Sequence, residues 1–572
     1  MLTAMQIVLA CLTGAPVDPS GGVGLQAAGA EPTVTDSGVV FPEGYAPPRS
    51  MTEAERGFLA HNPNYFATRA EPVTAPPSGP IHCAAEYEPM DGICLSWWGS
   101  SGQTAIIASM AAGITTTGNA DVWLHVASGS TQTTALNTIS AAGANMARVH
   151  TVNITCDSIW IRDYGPRYIF EGNCRAIVDH QYNRVRPNDD AEPTSFGNTR
   201  HHQRYAVGVS STELIHGGGN FHLDALNRSY STKLTLNENP TLTQAQIHDA
   251  WGAFQGVDHW FFDPFPTSID STQHLDMWMQ VIGDNKVVIS DWPLNSGSTQ
   301  DVICDNAATF MASRGYSVYR VPAFSVGGTH YTYCNVVICN NLLLLPTYTN
   351  STVTNYSGGL NGNTVALGVW QTALPGYTIK QVPCQSIVTL AGVMHCIAMH
   401  IPQAKGLPGA AGGLAPTAYL KTYRTSQTLT PGQQISLNYI TDDDVGVSSV
   451  DVLYSLDDGA SYPNTVATGL SPLGSASFTV PSVCTSHLRF RVVAKDALGN
   501  QGTDDSVSSL TINGPLPGDT NGDHVVNTTD LGQVLTSFGA SVPAGTSGDL
   551  NGDGVVNSTD LGILLSSFGS AC

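Results

Sequence analysis

The stretch Val122-Trp123-Leu124-His125-Val126-Ala127 decides the fold class. It is a short apolar run of strand length. Residues 130–142 follow with helical spacing and a Ser/Thr-rich outer face, and residues 147–154 return to an extended apolar pattern. The same alternation recurs downstream, with a strand over 286–290, a helix over 300–313, a strand over 317–321 and an apolar strand pair over 335–346. Strands alternating with helices predict an α/β architecture. The chemically loaded stretches fall between these elements, where functional loops sit on a scaffold.

Outward from this block the texture changes. Residues 404–416 are rich in Gly, Ala and Pro and read as a linker, which bounds an α/β unit at 81–403. Residues 417–513 carry short alternating runs such as 435–439, 450–454, 476–480 and 488–494, separated by turn signals such as Asp457-Asp458-Gly459. That rhythm predicts an immunoglobulin-like β-sandwich. On the other side, residues 18–80 are rich in Gly, Pro, Ser, Thr and Ala and read as a linker or pro-segment, with one helix after the capping box Thr52-Glu53-Ala54-Glu55. Residues 1–17 hold a short apolar run that suits a signal segment, and Val8-Leu9-Ala10-Cys11 also suits a lipoprotein cleavage box.

Residues 514–572 contain an internal repeat. Oxygen-bearing side chains stand at Asp519, Asn521, Asp523, Asn527 and Asp530, and again at Asp549, Asn551, Asp553, Asn557 and Asp560. A hard cation such as calcium takes about 6–8 oxygens, and this spacing wraps a loop around one ion in each copy. A solvated Asp/Asn turn would not keep every ligand type in both copies. A carboxylate shorter than glutamate closes each loop, and a helix follows it but none precedes it. The repeat resembles a type I dockerin. That resemblance implies two calcium ions and a cohesin-like or surface partner.

The chain has 45 acidic residues against 23 basic, a formal net charge of -22. Phosphate binding needs clustered Lys and Arg, so nucleic acid is not an expected partner. No later segment is long and apolar enough to span a membrane; the leader-like run at 1–17 and the dockerin-like tail make secreted or cell-surface the expected location. For an exported chain, local disulfides are expected for Cys83 with Cys94, Cys156 with Cys174, and Cys304 with Cys334 or Cys339, with buried free thiols as the alternative.

Four motifs carry chemistry in 81–403: Trp160-Ile161-Arg162-Asp163-Tyr164-Gly165-Pro166, Gly217-Gly218-Gly219-Asn220, His274-Leu275-Asp276 and Met394-His395-Cys396. Taken singly, each has a bland reading: a turn with a salt bridge, a tight loop, a surface hydrogen bond, a buried thiol. Together they supply a nucleophile, an acid/base and a cage for a cation.

In this order, and with Ala85-Glu86-Tyr87-Glu88-Pro89 ahead of them, the motifs resemble the bacterial peptidylarginine deiminases of the pentein, or guanidine-modifying, superfamily. The resemblance implies a five-bladed pseudosymmetric α/β propeller and hydrolysis of an arginine guanidinium without any catalytic cofactor. It implies Cys396 as nucleophile, His274 as general acid/base, Asp163 and Asp276 as guanidinium ligands, and Asn335 beside the thiol. It also implies that Arg184 and Arg186, in Tyr182-Asn183-Arg184-Val185-Arg186, grip the carboxylate of a C-terminal arginine. The expected substrate is an arginine-containing peptide or protein. A structural salt bridge to Asp189 or Asp190 is the other reading of the arginine pair. Agmatine deiminase and a catalytically inactive guanidinium- or peptide-binding module are the alternatives for the whole, and no cysteine-protease signature surrounds Cys396.

Overall fold

The computed structural model describes residues 31–42 and 44–572, so the leader expected at 1–17 lies outside the described residues. Between 81 and 402 five sheets repeat one plan. Met279–Gly283 pairs antiparallel with Lys286–Asp291, the helix Thr299–Ser313 crosses over, and Ser317–Pro322 returns parallel. The same order holds for Val337–Cys339, Leu342–Thr347, helix Gly362–Ala373 and Thr378–Pro383. It holds for His222–Leu223, Arg228–Thr232, helix Gln244–Gln255 and Asp258–Phe262, and for Arg167–Glu171, Cys174–Asp179, helix Glu192–Arg200 and Gln203–Ala206. In the fifth sheet the first strand is supplied from the far end of the unit. Met399–Pro402 pairs antiparallel with Met90–Ser96, and the helix Ser101–Thr116 leads to the parallel Asp121–His125, which pairs in turn with Val149–Val152.

The inner strands read as near-continuous apolar runs because both of their faces are covered. Leu342, Leu343, Leu344 and Leu345 are all buried, as are Val287, Val288 and Ile289. One apolar cluster draws on all five of these sheets and includes Trp160, Met277, Val336 and Cys396, so the chemical residues are planted in core rather than on free loops.

Residues 31–80 are not an open linker over their described part. Strands Thr33–Thr35 and Gly38–Val40 form a hairpin, and helices Glu53–His61 and Tyr65–Arg69 follow. Val39, Phe41, Phe58 and Tyr65 close a small core on Val185 of the α/β unit. The Pro/Gly-rich composition hid four widely spaced apolar anchors. The capping box is present, with Thr52 Oγ1 accepting from the Glu55 amide and Glu55 accepting from the Thr52 amide.

After 416 the chain forms two antiparallel-rich sheets. Thr417–Leu420, Gln434–Asp442 and Gly474–Thr479 make one, and Val447–Ser455 and Thr485–Asp496 are the centre of the other. Ile435, Leu437 and Tyr439 point into a shared core while Gln434, Ser436 and Asn438 face water, the period-two signature of a half-buried strand. The expected local disulfides are not formed: Cys83, Cys94, Cys156, Cys174, Cys304, Cys334 and Cys339 are free and buried, each packed as a small apolar side chain, and the described disulfide joins Cys484 to Cys572. The two repeats end the chain as helices Thr528–Thr536 and Ser558–Ser566, capped by Asn527 and Asn557.

Candidate active site

Each of the five sheets delivers one residue to a common centre, always from the turn just ahead of its first strand. Asp163 lies in the helical turn Ile161–Tyr164, Gly219 in Gly218–Asn220, Asp276 in Leu275–Met277, Asn335 just before Val337–Cys339, and Cys396 in His395–Ile397. A tight turn ending in a paired strand fixes the side chain's position from one side, and the apolar cluster fixes it from the other.

The five expected catalytic residues are brought together, and all are fully buried or nearly so. What they surround is Arg49. Its Nε and Nη2 donate to Asp163 Oδ2 and Oδ1 at 2.8 and 2.7 Å. Its Nη1 and Nη2 donate to Asp276 Oδ1 and Oδ2, both at 3.0 Å. Nη1 also donates to Cys396 Sγ at 2.7 Å, and Nη2 lies 2.8 Å from His274 Nδ1. Two carboxylates grip the guanidinium edges in the bidentate geometry that suits a planar cation. The thiol and the imidazole lie against its two terminal nitrogens.

Glycine makes the room. A Cβ at Gly219 would collide with Arg49 Nη2 and come within 2.7 Å of Asp276 Oδ2 and 2.8 Å of Asp163 Oδ1. A Cβ at Gly392 would sit 2.6 Å from Trp160 and 2.9 Å from the Cys396 sulfur. Asn335 spans the centre: its Nδ2 donates to the Asp276 carbonyl and to Cys396 Sγ at 3.1 Å each, and its Oδ1 accepts from the amides of Val393 and His395 at 3.2 and 3.1 Å. It holds the thiol loop to the Asp276 turn.

The charges are strongly coupled. Burial alone opposes ionisation of Asp163, but Arg49 and then His274 outweigh it and hold the carboxyl well below the ordinary range. Asp276 is likewise lowered, with Arg49 and His395 overcoming burial. Burial pushes the Cys396 thiol well above its ordinary value; the Arg49 cation pulls it back, while Asp276 and Asp163 push it up further. A thiolate at this position therefore depends on a cation held beside it.

Several contributors were not legible as site residues. His395 lies between two carboxylates, with Nδ1 2.8 Å from Asp276 Oδ2 and Nε2 2.9 Å from Glu86 Oε1. Glu86 is in turn bound by Arg162 Nη1 at 2.9 Å and by Gln280 Nε2 at 3.0 Å. This relay orients Asp276 from behind. Glu86 and His395 lie inside the quoted motifs, and only their long-range pairing gives them a role. Arg49 carried no motif signal at all.

Arg184 and Arg186 do share a direction, toward the 48–50 main chain. Arg184 Nε donates to the Arg49 carbonyl at 3.0 Å. Arg186 Nη2 donates to the carbonyls of Pro48 and Ser50 at 2.8 and 3.3 Å, and its Nε is paired with Glu55 at 2.8 Å. The salt bridge to Asp189 or Asp190 is not made: Asp189 accepts from Ser158 and from the amides of Asp157 and Ser158, and Asp190 accepts from the Tyr182 amide.

In the terminal repeats, carboxylate oxygens of Asp519, Asp523 and Asp530 lie within 4.8 Å of one another, a set that fits a hard oxygen-seeking cation. Asp530 and Asp560 also accept from the amides of Asn527 and Asn557, so the residue closing each loop caps its helix as well. The expected ligands and the capping boxes overlap at Asn527 and Asp530 and again at Asn557 and Asp560.

A family model described as the Porphyromonas-type peptidyl-arginine deiminase matches residues 82–402, and a type I dockerin model matches 517–567. A Vibrio parahaemolyticus protein named provisionally as an agmatine deiminase is 24% identical over 296 residues, covering 44% of this chain and 78% of that one. A similarly named Yersinia pestis protein is 25% identical over 299 residues, covering 45% and 78%. Among solved structures, agmatine deiminase of Enterococcus faecalis aligns with a TM-score of 0.48 at 17% identity, over 59% of this chain and all of that one (100%).

Proposed function

The chain belongs to the Porphyromonas-type peptidyl-arginine deiminase family, and on that premise we propose that it hydrolyses the guanidinium of a peptidyl arginine to citrulline and ammonia. The observation that carries this reading is the double carboxylate fork of Asp163 and Asp276 with Cys396 and His274 against the terminal nitrogens.

The steps follow from the residues. The fork holds the guanidinium plane and its positive charge favours the Cys396 thiolate. Sulfur attacks the central carbon to give a tetrahedral adduct. His274 Nδ1 protonates the adjacent nitrogen, which leaves as ammonia, and a thiouronium remains on Cys396. A water then enters beside His274, gives up a proton to it and attacks the same carbon. The carbon–sulfur bond breaks and the ureido product departs. None of these steps calls for a metal or an organic cofactor.

The contacts of Arg184 and Arg186 with main-chain carbonyls support a chain-borne arginine, whether internal or C-terminal, over a free amine. Agmatine carries a cation where Arg184 would meet it, so Arg184 disfavours it, although the similar Vibrio and Yersinia proteins bear that name. A ureido colour assay on benzoyl-arginine, a peptide ending in arginine, free arginine and agmatine tests this. Turnover of the arginine peptides supports the reading, turnover of agmatine alone replaces it with the agmatine reading, and no product from any of the four sinks it.

Around this centre we read the five repeated sheets as a five-bladed propeller, 417–513 as an immunoglobulin-like sandwich, and 404–416 as the linker between them. Residues 514–572 would hold one calcium in each loop. Their helices expose Leu535 and Leu565, and the turns that follow expose Phe538 and Phe568 at matching repeat positions, a paired apolar face that suits a cohesin-like partner outside the cell.

A further inference from the structure

Arg49 is held in its own chain's site by more than its guanidinium. Its amide donates to the Leu390 carbonyl at 2.9 Å, and its carbonyl accepts from Arg184. Trp160 Nε1 donates to the Pro47 carbonyl at 2.9 Å, and Arg186 takes the carbonyls of Pro48 and Ser50. Residues 47–50 therefore pass through the site with all four carbonyls and the Arg49 amide hydrogen-bonded. Upstream, the Val39 amide donates to the Val185 carbonyl at 3.2 Å; downstream, Glu55 pairs with Arg186. Anchors on both sides make the local concentration of this arginine far higher than that of a diffusing substrate.

Every group the reaction needs is on Arg49. Sulfur lies against Nη1, the imidazole against Nη2, and both carboxylates fix the plane between them. His274 Nε2 is buried with no hydrogen-bond partner among the described residues, so the ring is not committed to a second fixed bond. An inert plug would need only the ion pairs.

We propose that Arg49 is a substrate of its own chain, converted to citrulline in cis by Cys396. This deepens the deiminase reading above and rests on it. The balance is that of the reaction on an external arginine. Cys396 sulfur bonds to the Arg49 guanidinium carbon, Nη2 takes a proton from His274 and leaves as ammonia, water replaces it, and the carbon–sulfur bond breaks to regenerate the thiol. Residue 49 ends as a neutral ureido group with an oxygen where a donor had been. That oxygen faces the Asp163 and Asp276 carboxylates without a proton to offer, so both ion pairs are lost while the main-chain anchors of 47–50 remain. The first turnover thus frees the carboxylate fork for another guanidinium.

The test is peptide mapping by mass spectrometry of the full chain, with a protease that does not cut at arginine. Wild type is expected to carry citrulline at 49, and both Cys396→Ser and Cys396→Ala to carry arginine. Isotope-labelled C396S mixed with wild type is expected to keep its arginine, because the residue is reached only in cis. Arginine at 49 in a wild-type preparation that makes ureido product from benzoyl-arginine overturns the proposal and leaves the deiminase reading standing. Conversion of labelled C396S by wild type overturns the cis assignment. Arginine at 49 with no product from any added guanidine overturns both.

Discussion

Two buried arginines make the same two-toothed contact with an aspartate. Arg49 places Nε and Nη2 on Asp163 at 2.8 and 2.7 Å; Arg175 places Nε and Nη2 on Asp442 at 2.8 and 3.0 Å. Their remaining donors diverge. Arg175 sends them to Asp91, to the Pro402 carbonyl and to the Asp443 carbonyl, all oxygen acceptors. Arg49 sends them to a second aspartate, a thiol and an imidazole nitrogen. The first arrangement ties the α/β unit to the sheet that follows it. The second surrounds a guanidinium with a carboxylate, a thiol and an imidazole, the groups on which the proposed reaction rests. A buried guanidinium–carboxylate fork is therefore not a sign of chemistry; the sulfur and nitrogen at the other edges are.

The sharpest way to break the comparison is to remove the sulfur. Cys396→Ser is expected to lower ureido formation by on the order of 10^4-fold or more, with the melting transition no lower than that of wild type because the Arg49 ion pairs are kept, read by the colour assay and by calorimetry. Arg175→Ala should do the reverse. It leaves Asp442 buried without its cation, which costs about 3–5 kcal/mol, read as a drop in denaturant midpoint, while turnover per folded molecule stays near wild type. Glu86→Gln separates orientation from charge, since Glu86 acts on Asp276 only through His395. A shift of the fork by about 1 Å is expected to cost about 10^2-fold in kcat with a smaller change in KM; equal loss of stability and rate would mark it as merely structural.

The smallest expected effect concerns the strap's second anchor. Burial opposes ionisation of Glu55, yet Arg186 outweighs it and lowers the carboxyl below its ordinary value. A depressed acid stabilises the fold above its unfolded pKa, about 4.3 for Glu, and that contribution fades as pH falls through the folded value. The protection of amides over 53–61, that is exchange corrected for its intrinsic pH dependence, should therefore be constant from neutral pH to about 5 and fall below it, by the weight of a charged hydrogen bond, about 1.5–3 kcal/mol. A loss of protection beginning at neutral pH would contradict the anchor.

Much of this was legible in the chain. Strand–helix alternation exposed the α/β class because buried parallel strands leave apolar runs of fixed length, as at 342–345. The acidic fork, the imidazole and the thiol were found because each lies in a short motif, and their order matched one family. Local spacing could not show what crosses the sequence. Arg49 is separated from Cys396 by most of the α/β unit and sits in a Pro-rich stretch that reads as linker. His395 and Glu86 become partners only when the last sheet strand meets the first. The cysteines were open to two readings: the local pairs stayed unbonded as buried free thiols, the alternative held for them, while Cys484 found Cys572.

The strand Met399–Pro402 is laid down last in the α/β unit yet pairs with Met90–Ser96, made near its beginning. Cys396 rides on the turn ahead of that strand. A chain emerging from the ribosome thus carries Asp163, His274 and Asp276 well before it carries Cys396. Only when the two ends of the unit pair does the Cys396 turn stand in register with them. Synthesis therefore leaves the sulfur for last: the sheet that positions it cannot close until the chain has been made through residue 402.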